Sequence, residues 1–149
     1  MNAYEKAQQL LGLIVNEALP LEPDFTLPTL QYARVGTPVI SCACVQVAAV
    51  DMNTDGSNVG QLNVICDDAI QIANFACIIS RDCAMAFNED GSDDPTLLGP
   101  ASLQAAKDAD FLWAWANSYS EYFSKSFNVA WTFTGGISVA TLTLTTGID

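Results

Sequence analysis

The residues best suited to chemistry in this chain are oxygen donors. Asp51, Asn53, Asp55 and Gly56 stand at the first, third, fifth and sixth positions of a calcium-loop opening. The twelfth position should carry a bidentate Glu and instead holds Leu62, and the flanks read as strands rather than helices. An Asx- and Gly-rich turn between strands explains the same residues. A second group, Asn88 to Asp94, brings Glu89, Asp90, Asp93 and Asp94 into one short loop. A hard cation could sit there, though a solvated acidic loop is the plainer reading. Asp67 with Asp68, and Asp108 with Asp110, are carboxylate pairs of the kind used in acid–base work. Residues one or two apart do not face each other on a helix. No nucleophile, base or set of oxyanion donors accompanies them, and no Gly-rich phosphate loop is present, so no catalytic residues are assigned.

The chain has no histidine, which removes the commonest general base and transition-metal ligand. Five cysteines are present: Cys42, Cys44, Cys66, Cys77 and Cys83. Their spacing does not suit a zinc site, and alternation in a strand would place Cys42 and Cys44 together on one packed face. The N-terminal stretch lacks a basic segment and a small-residue cleavage site, so reduced thiols in a cytosolic setting are expected, with no disulfide and no metal or other cofactor. The longest apolar stretches fall short of the roughly 20 residues of a membrane helix.

Charge narrows the function classes further. Asp and Glu number 17 against 5 Lys and Arg, a net charge of −12. The basic residues Lys6, Arg34, Arg81, Lys107 and Lys125 are scattered. Binding to a phosphate backbone needs clustered cations and is excluded. Half of the 149 residues are apolar and only 15% are charged, enough for the core of one domain spanning 1–149.

The elements that must position these residues follow from hydrophobic period. Ala3, Ala7, Leu10, Leu11, Ile14 and Ala18 form one helical stripe over 2–18, with Asn2 as N-cap and Glu5 in the capping-box position. Pro20, Pro23 and Pro28 keep the following connector extended. A short strand is expected at 30–35. Strands at 40–52 and 69–81 are apolar on both faces: Val45, Val47 and Ala49 oppose Cys44, Gln46 and Ala48, while Ala73, Phe75, Cys77 and Ile79 oppose Ile70, Ile72, Ala76 and Ile78. A second helix is expected over 100–124 with Pro100 in its first turn and Leu103, Ala106, Ala109, Trp113 and Ala116 inward. Trp115 then faces a neighbour or solvent. Strands at 127–134 and 137–146 form a hairpin turning at Gly135-Gly136. The class is α+β, one mostly antiparallel sheet with two helices packed on it.

The second half carries a recognisable order: AIQIANFACIISRD, a polar loop with a Pro, the helix GPASLQAAKDADFLWAWANSY, and the hairpin NVAWTFTGGISVATLTLTTGID. Preceded by a helix, an extended segment and the strand SCACVQVAAV, this order resembles the tail terminator proteins of long-tailed, siphovirus-type bacteriophages, especially those of actinobacteria. The resemblance spans roughly residues 2–148 and is specific from about residue 69 onward. It implies a tail-terminator-like fold and a structural virion protein of the tail and neck, made in the host cytoplasm. Such proteins form a hexameric ring that ends tail-tube growth and joins the tube to the head connector. Its partners would be copies of itself, the tail-tube protein and a head-completion protein, with genomic DNA passing through without specific binding and no membrane involved. It implies no cofactor and no enzymatic activity. A channel lined by carboxylates would repel phosphates, and Glu89, Asp90, Asp93 and Asp94 are the leading channel-facing candidates, ahead of Asp51, Asp55, Asp67 and Asp68. Another neck or tail-tube component, and a calcium-stabilised binding module, are the alternatives.

Overall fold

A computed structural model describes residues 1–40, 42–54, 71–82, 95–119, 128–134 and 136–148. The chain begins with helix α1 (Ala3–Ala18). Asn2 accepts from the Glu5 amide at 2.8 Å, and the Glu5 carboxylate accepts from the Asn2 amide at 2.9 Å, completing the expected capping box. Ala7, Leu10, Ile14 and Ala18 are buried along one stripe, with Ala3 and Leu11 partly buried beside them. A 3-10 turn at Leu19–Leu21 takes the chain out of the helix at Pro20.

Five strands form one sheet: β1 (Gln31–Val35), β2 (Cys44–Thr54), β3 (Gln71–Asp82), β4 (Asn128–Thr134) and β5 (Ile137–Gly147), in the order β1-β2-β3-β5-β4. Every pairing is antiparallel except β1 with β2, which is parallel, with Gln31 opposite Val45 and Val35 opposite Ala49. Helix α2 (Pro95–Ser118) completes the α+β fold. α1 lies over β1 and β2, and α2 over β5 and β4. Both pack on one face, where Val45, Val47, Ala73, Phe75, Cys77, Ile79, Ala140, Leu142 and Leu144 meet Leu10, Ile14, Leu112 and Trp115 in a single core.

The parallel pair is joined by residues 36–43, fewer than the dozen or so that such a connection usually needs. The return path is held by polar side chains on the sheet face away from the helices. Buried Gln46 accepts from the Val39 amide at 3.2 Å and donates to the Val39 carbonyl at 2.9 Å. Ser80 donates to the Cys42 carbonyl at 2.7 Å and accepts from the Cys44 amide at 3.1 Å. That face also has a small apolar cluster of Ala76, Ile78 and Val139, with Ile137 against it. Both-face burial of β2 and β3 therefore holds, but Gln46 and Ser80 hold a returning chain where small apolar packing alone was expected.

Three local expectations are corrected. Strand β2 starts at Cys44, so Cys42 precedes it and is exposed instead of sharing a packed face with Cys44. Helix α2 begins at Pro95, which places Pro100 inside it rather than in its first turn. Its inward residues are Ala105, Asp108, Ala109, Phe111, Leu112, Trp115 and Ala116, so Trp115 is 3% exposed and Trp113 48%, the reverse of the expected pair. Leu103 and Ala106 also point outward. The helix carries small residues nearly all round, which leaves its phase weakly marked. Anchors from outside the helix fix it: Arg81 on Asp108 and the Phe25 ring stacked on Phe111 at 4.8 Å. The hairpin follows expectation, with Thr134 opposite Ile137 and Gly136 at φ 79°, a value suited to Gly in a two-residue turn.

Candidate functional site

Glu89, Asp90, Asp93 and Asp94 lie outside the described residues, as do Asp55, Gly56, Asp67, Asp68, Cys66 and Cys83. Asp51 is exposed within β2. A bulge between Ala49 and Asp51 gives the strand one extra residue and sets Asp51 opposite Asn74; without it Val50 would stand there and Asp51 would turn toward the helices. The Asn74 carboxamide donates to Asp51 and accepts from the Thr145 hydroxyl, a polar ladder across β2, β3 and β5. Asp51 is thus engaged in sheet pairing.

Among the described residues, no group of three His, Cys, Asp or Glu could hold a metal ion. No described helix is long and apolar enough to cross a membrane. Cys42, Cys44 and Cys77 are free thiols. Burial pushes the Cys77 thiol up to about 12, so it stays protonated and inert near neutral pH. Burial, followed by the neighbouring Cys44, raises the Tyr32 phenol above its ordinary value.

Among the described residues, the most concentrated electrostatic feature was not foreseen. Arg81, near the end of β3, turns toward the helices. Its Nε donates to both Asp108 oxygens at 3.1 and 2.9 Å, and its Nη2 donates to Oδ1 at 2.8 Å. Gln104 adds a bond to the same carboxylate at 3.0 Å. Arg81 Nη1 donates to the Thr26 carbonyl at 2.9 Å, and the guanidinium lies 5.5 Å from the centre of the Phe25 ring. One side chain thereby ties β3, α2 and the connector after α1. The expected separation of Asp108 from Asp110 holds: Asp108 is 1% exposed on Arg81, whereas Asp110 is on the surface. A buried carboxylate paired in this way with a guanidinium acts as a structural cross-link between elements. The legible signal was a charged residue inside the apolar repeat of α2.

Next to this cross-link an open groove of about 510 Å³ runs between α2 and the connector. Leu21, Phe25, Phe111, Ala114 and Trp115 make its apolar floor. A second groove of about 490 Å³ lies between α1 and β1, with a more polar lining that includes Gln8, Asn16, Gln31 and Tyr32. Exposed apolar side chains also stand at the two ends of β1, Leu30 and Val35, and in the chain that returns from it to β2, Val39 and Ile40. Compared with known proteins, the sequence matches no family model and no curated protein.

Proposed function

We propose that this chain is a structural virion protein of a long-tailed bacteriophage, forming a ring that ends the tail tube and joins it to the head connector. The observation that carries this reading is the exposed apolar margin of the sheet. β1 is an edge strand of the sheet; Leu30 and Val35 at its two ends are exposed, as are Val39 and Ile40 in the chain that returns across the outer sheet face to β2. A lone domain gains nothing from such a margin, whereas a neighbouring copy would bury it. The order of elements in the sequence, from the N-terminal helix to the Gly-Gly hairpin, supports the tail terminator family over other assembling proteins. In this role the chain works by assembly: it carries out no reaction, requires no cofactor, and lets DNA pass a surface of like charge.

Electron microscopy of the purified chain tests the proposal. Closed rings of uniform diameter with a central opening are expected, and Val35→Lys should prevent them by placing a charge in the contact. Dispersed single subunits for the unaltered chain would overturn it.

A further inference from the structure

The groove between α2 and the connector has a charge pattern that identifies what it fits. Around its apolar floor stand the exposed carboxylates of Glu17, Asp24 and Asp110 and one ammonium, Lys107. The floor is held in place: Phe25 is clamped between the Arg81 guanidinium and the Phe111 ring, and Trp115 stacks on Tyr119 at 5.3 Å. A pre-set apolar floor under a net negative rim is the complement of apolar side chains flanked by cations.

We propose that this groove docks a basic segment of a different protein, anchored by one or two large apolar side chains and flanked by Lys or Arg. The groove is open along the surface, whereas small-molecule sites enclose most of their ligand, so a polypeptide is the better occupant. A second copy of this chain is a poor match. Of its five basic residues, Lys107 already lines the groove, Arg81 is bound to Asp108 and Lys6 is buried, which leaves only Arg34 and Lys125 to meet the rim. The inference rests on the fold alone and does not require a ring.

The probe is a fluorescein-labelled synthetic peptide of Leu flanked by Lys, compared by fluorescence anisotropy with the same peptide carrying Glu for Lys. The chain is tested intact, as Asp24→Lys with Asp110→Lys, as Ala114→Arg, and as a control, Asp51→Lys with Asp82→Lys, which alters net charge equally on the sheet. Melting curves verify that each variant folds. The expected result is binding of the Lys peptide alone, weakened about tenfold or more by both groove variants and less than about twofold by the control. Equal weakening by groove and control variants would reduce the effect to general attraction by an acidic chain and overturn the proposal. So would equal binding of the Glu peptide, or no binding of the Lys peptide. Loss of self-association in Ala114→Arg would assign the groove to a second copy and overturn it as well.

Discussion

Asp108 is tolerated in the interior because Arg81 and Gln104 replace the water it loses. Removing it leaves the guanidinium without its counter-charge, so Asp108→Ala should lower stability by about 3 kcal/mol, the lower end for a broken buried pair because Arg81 remains 21% exposed and keeps its bond to Thr26. Chemical denaturation checks this, and a loss below about 1 kcal/mol would mean that the pair is incidental. The tryptophans give a paired test of helix phase. Trp115→Ala should cost about 3–5 kcal/mol, and Trp113→Ala less than about 1 kcal/mol. The Cys77 thiol gives a pH signature. Its folded value of about 12 lies above the ordinary 9.0, so its contribution to stability is complete below about 9 and is lost as pH rises toward 12. Native alkylation near neutral pH should modify exposed Cys42 and leave Cys77 untouched; equal labelling would place Cys77 in reach of solvent.

At the scale of elements, what could be read in the sequence is what local chemistry marks. Asn2 and Glu5 announce the start of α1, the alternation of Ala73 to Ile79 assigns both faces of β3, and Gly136 sits where a tight hairpin requires positive φ. What could not be read depends on distant partners. The parallel pairing of β1 with β2 rests on Gln46 holding Val39, a contact no periodicity displays. Gln46→Ala should therefore cost about 1 kcal/mol by removing both of its bonds to the Val39 backbone, whose carbonyl keeps the Tyr32 hydroxyl. Amide hydrogen exchange should locate the loss at residues 36–40; exchange there unchanged from the parent would refute the pinning role. The phase of α2 escaped for the same reason, since its anchors Phe25 and Arg81 belong to other elements. The groove beside it exists only after the connector folds back on α2, so no local run of sequence announces it.

At the scale of the whole molecule, the exposed apolar residues Leu30, Val35, Val39 and Ile40 belong to a chain whose net charge is −12. Apolar contact has to overcome mutual repulsion between copies, so assembly should strengthen with salt, as screening shortens the reach of the charges to roughly 8 Å at physiological ionic strength. A chain held together by ion pairs would respond in the opposite direction. Native mass spectrometry across protein concentration shows whether the chain assembles with itself. One closed assembly at a fixed multiple of the 15.9 kDa chain is expected, sixfold if the tail terminator resemblance holds, with its loss in Val35→Lys. A spectrum of 15.9 kDa monomers at every concentration and salt condition would contradict it.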